Sequence, residues 1–341
     1  LVFFESQRWH GACIVEGQAR SVEDAMKLTN VLSSLLVCGT LAAALEPAPA
    51  GAGILPPSVF DVGRLIGYRT GLVGIDLNGT ELEGSPIGEA HLVGVSRSGV
   101  LTAKGKVVSV EVKESRLVPS SGGAGLQALV GAELVGLLDD GQTVLLVVAA
   151  VDRAPEDRNK DVILYDVDVA GAGGAQPLCG VDDAGVRRSA IALTGRWDFS
   201  EGTATGGAWI DDPEVFTFAC QGYVVAKCVE AGYKPWRKAL VCAKGQGCKQ
   251  VALTAWHQAC TRLLRADYCG DGRSHTVDGV PVNLYDNLGV RVDGEAWRTE
   301  AEWDAAGARC LANVRRPDQV PDCYDELVSD ECGDPAHGAD G

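Results

Sequence analysis

The chain has 341 residues, room for one large or two ordinary domains, and 46 acidic against 30 basic residues give a formal net charge of −16. Such a surface repels phosphate backbones and no basic block argues otherwise, so nucleic acid is disfavoured as a partner. No GxSxG, HExxH, phosphate-loop or dinucleotide fingerprint is present, which removes the easily recognised hydrolases and nucleotide enzymes and leaves no cofactor to expect.

The single methionine, Met26, is followed by Lys27 and an apolar run from Val31 through Ala44 that ends on small residues. A basic start, an apolar core and a small-residue exit predict a secretory signal peptide beginning at Met26 and cleaved near Ala44 or Ala50. Residues 1–25 then read as an upstream extension without periodic pattern. Leu36-Val37-Cys38 resembles a lipoprotein cleavage box, but Val37 is large where that box needs a small residue. The run is short for a membrane span and no later stretch reaches its length, so the expectation is a mature chain without a transmembrane segment, secreted or held in the cell envelope.

Residues 26–50 thus form the signal and leading segment, and residues 51–122 a β-rich N-terminal region. In the latter, Gly74, Gly79, Gly84 and Gly94 recur with Leu77, Leu82, Ile87 and Leu92. The rhythm fits either one turn of a small β-coil or a pair of hairpins with Asn78-Gly79 as a tight turn. Strands are predicted at Lys106–Val112, at Gly141–Val151 after the Asp140-Gly141 turn, and at Asp161–Val169. In the last, Ile163, Tyr165, Val167 and Val169 share one face, opposite Val162, Leu164, Asp166 and Asp168.

Ten cysteines follow the signal: Cys179, Cys220, Cys228, Cys242, Cys248, Cys260, Cys269, Cys310, Cys323 and Cys332. An even number, an export signal and no CxxC pair favour disulfides over zinc, and no metal site is expected. Roughly nine hundred pairings are open by counting alone. None of the ten precedes Cys179, so a cysteine-free front meets a stapled back.

Within that back, Phe216–Cys220 reads as a strand and Val224–Glu230 as a short helix closed by Gly232. Gly232-Tyr233-Lys234-Pro235-Trp236 sets two aromatic rings around a proline and suits a packed corner. The central element is a helix over Val251–Arg265, with Ala252, Leu253, Trp256, Ala259, Cys260, Leu263 and Leu264 on one stripe and Gly270 and Gly272 stopping it. Strands are expected at Val280–Leu284 and Val290–Val292, and a second helix at Thr299–Leu311 with Trp303, Ala306 and Cys310 facing inward. The fold class these elements give is α+β, a β-rich front joined to a disulfide-stapled α+β region built on one central helix.

The motifs FTFAC, AKC and GYKPW, then HQACTRLLRADYCGDG and NLYDNLGV, closely resemble the bacterial ADYC domain family, whose signature tetrapeptide stands here as Ala266, Asp267, Tyr268 and Cys269, followed by Gly270, Asp271 and Gly272. The resemblance runs from Gly195 to about Cys310 and, through LVGAELVGLLDDG, back to about Gly123. It implies a domain over residues 123–335, cysteine-rich from 195 onward, in a secreted or envelope-associated protein, and it carries no established activity. Gln176 departs from the aromatic expected before Pro177-Leu178-Cys179.

Three arrangements weigh chemistry against scaffold. His257 and Cys260 lie one helical turn apart, with Asp267 as an orienting carboxylate, the spacing a thiol nucleophile and its base would need. His275 with Asp271 and Asp278 offers acid–base or metal chemistry at a hairpin mouth. Against both, Asp267 is read as a structural acceptor paired with Arg262 or Arg265. The expectation is an exported binding or structural protein with a cell-surface or extracellular ligand; the alternative is a secreted hydrolase using His257 or His275.

Overall fold

In a computed structural model of the chain, the described residues are 2–5 (backbone only), 90–122, 125–171, 174–243, 247–286, 288–290 and 299–333. They belong to one compact unit, Leu1–Gln7 with Ile54–Gly341. The signal segment, the Asn78-Gly79 turn and the glycine rhythm up to Ile87 lie outside the described residues.

The order begins with β1 (Val2–Glu5), β2 (Leu92–Ser96), β3 (Val100–Leu101), β4 (Val107–Val108), β5 (Val110–Lys113) and β6 (Arg116–Pro119). Next come β7 (Glu133–Leu138), β8 (Thr143–Arg153), β9 (Ile163–Val169), β10 (Gln176–Pro177), β11 (Ala190–Thr194), β12 (Arg196–Trp197), β13 (Trp209–Ile210) and β14 (Val215–Cys220). The back half holds α1 (Val224–Glu230), β15 (Lys238–Ala243), β16 (Gly247–Ala252), α2 (Thr254–Leu264), β17 (Tyr285–Asp286), β18 (Thr299–Asp304), β19 (Gly307–Leu311) and α3 (Tyr324–Leu327).

Six strands close on themselves. β2 pairs β7, β7 pairs β8, β8 pairs β9, β9 pairs β11, β11 pairs β14, and β14 returns to β2 through Phe216 opposite Val95, every pair antiparallel. A barrel of this size has an interior that side chains fill, and here they are apolar: Leu92, Val95, Leu134, Leu146, Val148, Ile163, Tyr165, Val167, Phe216 and Phe218 are all buried. The Tyr165 hydroxyl accepts a 2.8 Å hydrogen bond from the Leu117 amide, and burial pushes its pKa up to about 12. The alternation along Ile163–Val169 places its predicted apolar face inside the barrel.

β11 and β14 are buried on both faces, which is why FTFAC lacks polar alternation. Their outer side chains, among them Ile191, Leu193 and Ala219, meet a second core formed by α1, α2 and the β18–β19 hairpin. Four disulfides tie these parts: Cys179–Cys220, Cys228–Cys260, Cys269–Cys323 and Cys310–Cys332. Cys248 is also disulfide-bonded and stands opposite Cys242 in the β15–β16 register.

The α+β expectation is therefore corrected to a strand-rich fold with a closed barrel. The central helix exists, but it is limited to Thr254–Leu264 and packs against the outside of a strand framework. Thr299–Leu311 is a hairpin rather than a helix, turning at Asp304–Gly307. The helical spacing misled because Glu300 and Glu302, polar positions in any periodicity, are themselves buried, Glu300 against Arg315. Lys106–Val112 is split at Ser109 into β4 and β5, and Val280–Leu284 runs without strand pairing.

Candidate functional site

The signature tetrapeptide assembles the exit of α2. Ala266 takes a left-handed φ of 52°, while its amide reaches Leu263 O and the Asp267 amide reaches Arg262 O, the two bonds of a Schellman stop. Ala266, not the later glycines, thus ends the helix. The Arg315 guanidinium then donates to the last-turn carbonyls of Leu263 and Leu264.

Asp267 is fully buried and gathers the next turn: its carboxylate accepts from the amides of Asp271 and Gly272 and from Arg262 Nη1 at 2.5 Å. Burial raises its pKa against the opposing pull of Arg262. Arg262 also donates to Gly206 O, which fixes the glycine-rich loop over the motif. Of the two candidate arginines, Arg265 serves other acceptors, Gly272 O and Glu201. Tyr268 stacks on Trp303 at 5.2 Å and donates to Glu300 at 2.8 Å, and Cys269 closes to Cys323. Each letter of the motif has a mechanical task.

A short distance along α2, at its first turns, lies a cavity of about 140 Å³. Its lining comes from five places: Val112 and Glu114 of the β5–β6 hairpin, Leu193 and Thr194 ending β11, Trp197 and Trp209 of the β12–β13 pair, Pro235 and Trp236, and Thr254, His257 and Gln258 of α2. The walls are held by their own hydrogen bonds. Trp209 Nε1 donates to Thr194 O at 2.8 Å, and Gln258 accepts from the Trp209 amide at 3.0 Å while donating to Gly207 O at 2.9 Å.

Trp236 is anchored from the barrel side. Its Nε1 donates at 2.9 Å to Asp161, which also receives Lys234 at 2.6 Å and Arg237 at 2.5 Å. Although burial pushes the Asp161 carboxyl up, these three donors win and hold it well below the usual carboxylate range. His257 Nε2 donates to Val225 O at 3.0 Å, and burial lowers the ring's pKa to about 4, so the imidazole is neutral. The indole N–H of Trp197, buried in the same wall, has no hydrogen-bond partner among the described residues.

The ADYC domain model matches residues 126–317, more than half of the sequence. The chain belongs to the ADYC domain family. No curated protein and no solved structure matches it. The ADYC match begins at Leu126, just before β7, and so takes in most of the barrel as well as the stapled region that carries the signature.

The fates of the candidate residues in this ADYC domain are separate. Cys260 is bonded to Cys228 at 2.06 Å, so no thiol stands beside His257. His275 Nδ1 donates to Ala266 O at 3.1 Å, and its ring lies 5.6 Å from that of Tyr268. Asp271 binds the Arg273 amide and guanidinium, while exposed Asp278 acts electrostatically on Lys227. No hydrogen bond or ion pair joins His275 to either aspartate among the described residues. Glu302, Cys310 and Cys332 bring ligand-type atoms within 4.8 Å, but the two sulfurs are bonded to each other and offer no thiolate.

Sequence reasoning missed the cavity. Trp236 was legible as a packed corner, yet Trp197, Glu114 and Trp209 carry no local signal that they share a wall with it. His257 is the one sequence candidate that reaches this cavity.

Proposed function

We propose that this chain is an exported, disulfide-stabilised binding protein of the cell envelope or extracellular space, and that its ligand enters the tryptophan-lined cavity. The observation that carries this reading is the convergence of Trp197, Trp209 and Trp236 on one small concavity whose walls are braced by separate hydrogen bonds. Concave, mostly apolar sites with a few placed polar groups are where small ligands bind. Disulfides support export, because they persist in oxidising compartments. No helix among the described residues is long and apolar enough to cross a membrane. A hydrolase using His257 would have to work through Nδ1, since Nε2 is given to Val225 O, and Cys260, bonded to Cys228, offers it no thiol nucleophile.

Intrinsic tryptophan emission of the purified chain, titrated with small ligands, tests the reading. A saturable shift that Trp236→Ala removes is expected. Saturable shifts that survive both Trp236→Ala and Trp209→Ala would place binding elsewhere.

A further inference from the structure

We infer that the cavity recognises an organic ammonium group, with the carboxylate of Glu114 as its counter-charge. The inference rests on the cavity being a ligand site and specifies what that site selects.

The first support is the polar inventory of the lining. The Trp209 and Trp236 indole N–H groups, both ends of Gln258, the Thr254 hydroxyl and His257 Nε2 are all committed within the wall. A sugar ring would need several free donors and acceptors converging on its hydroxyls, whereas the Trp197 N–H is the one indole donor of the lining without a partner among the described residues. Beside that N–H, the lining keeps the apolar surface of three indoles and one carboxylate without a counter-charge, Glu114. Faces of tryptophan attract cations through their quadrupole, the more so when the cation sheds water.

Glu114 is the second support. It sits in the two-residue turn between Lys113 and Arg116 at φ 60°, a conformation that favours glycine or asparagine. A glutamate there accepts backbone strain, and strain of this kind collects at ligand-binding positions. Its carboxylate is exposed and has no hydrogen bond or ion pair among the described residues, since neighbouring Lys113 is turned to Glu111 at 3.1 Å. A charge left unneutralised at the edge of an aromatic cavity is placed for a cation.

Size and field agree. At about 140 Å³ the cavity is far below the roughly 300–1,000 Å³ of drug-sized sites, which suits a methylated ammonium head rather than a large ligand. The net charge of −16 favours the approach of cations over anions. His257, the other titratable group in the wall, stays uncharged at neutral pH and does not compete.

The test titrates the full chain with choline and with its neutral isostere 3,3-dimethylbutanol, following heat and tryptophan emission. Choline is expected to bind at least about tenfold more tightly than the isostere. Glu114→Gln should weaken choline about three- to tenfold, leave the isostere unchanged and leave the melting temperature unchanged. Glu114→Gly should weaken choline equally while raising the melting temperature, because it removes the charge and the strained φ together. Equal binding of choline and the isostere, or an unaltered choline affinity in Glu114→Gln, overturns the ammonium assignment and leaves the cavity as a ligand site. If choline, the isostere, glucose and indole all leave the emission unchanged, the binding reading falls as well.

Discussion

Arg262 and Asp267 meet at 2.5 Å with side chains only 3% and 1% exposed, across the end of α2. The pair joins the helix to the turn that follows and, through Gly206, to the loop that covers it. Removing one member strands the other in a medium that cannot solvate it. Asp267→Asn is expected to cost about 3–5 kcal/mol, lowering the melting temperature by roughly 10 °C for a domain of this size. A melting temperature within a degree or two of the parent would show that the pair is dispensable.

Gly270, two residues before Gly272, has φ 68°, and a Cβ there would overlap the carbonyl oxygen of Ala306 in the β18–β19 turn. Backbone cannot yield as a side-chain end can. Gly270→Ala should therefore cost about 3 kcal/mol or more, combining left-handed strain with the clash. Gly279→Ala is the control, with φ 86° but nothing within 4 Å, and should cost only about 1 kcal/mol. Urea midpoints at constant slope report both. Equal losses would mean that the hairpin does not rest on the motif.

His257 predicts a pH signature. Its folded pKa of about 4 lies below the ordinary 6.5, so the unfolded chain takes the proton first as pH falls. The stability it contributes is present above 6.5 and lost progressively toward pH 4, about 3 kcal/mol in all. Glu230 acts in the opposite sense, because burial raises it from 4.5 to about 7 and its contribution grows as pH falls through that window. The difference between the parent and His257→Gln isolates the histidine: between pH 7 and 4 the parent should lose about 3 kcal/mol more than the variant. Parallel pH profiles would show His257 to be solvated.

Asp161 holds Trp236 and the otherwise buried Lys234, whose side chain is 7% exposed. Asp161→Asn keeps the shape but removes the charge, and because Lys234 keeps Asp157 at 2.5 Å the expected cost is about 1.5–3 kcal/mol. It should also shift tryptophan emission, since the indole loses its charged acceptor. In the parent, this carboxylate's depressed pKa adds stability at neutral pH that disappears as the pH falls below the ordinary carboxylate range. Unchanged emission in the variant would disconnect the ion-pair cluster from the cavity wall.

Much of this framework was legible in the sequence wherever a local period reports burial. Ile163–Val169 alternates because one face fills the barrel, Val224–Glu230 is a helix, and the even set of cysteines without a CxxC pair spelled disulfides. Barrel closure was not legible, since the contact of Val95 with Phe216 joins segments more than a hundred residues apart and leaves no mark on either. Thr299–Leu311 was misread because buried charged pairs erase the polar half of a strand pattern. At the candidate site, His257 was visible from its one-turn spacing to Cys260, while Glu114 and Trp209 became its neighbours only through tertiary folding.

The claim that the signature is a scaffold, with the ligand site elsewhere, stands on the sulfurs of Cys260 and Cys269. Peptide mapping of the unreduced native chain, after labelling of accessible thiols, addresses it directly. The expected result is a Cys228–Cys260 and a Cys269–Cys323 cross-linked peptide with neither Cys260 nor Cys269 labelled. A labelled Cys260 or Cys269 would contradict the account and return a reactive thiol to the helix of His257 or to its exit.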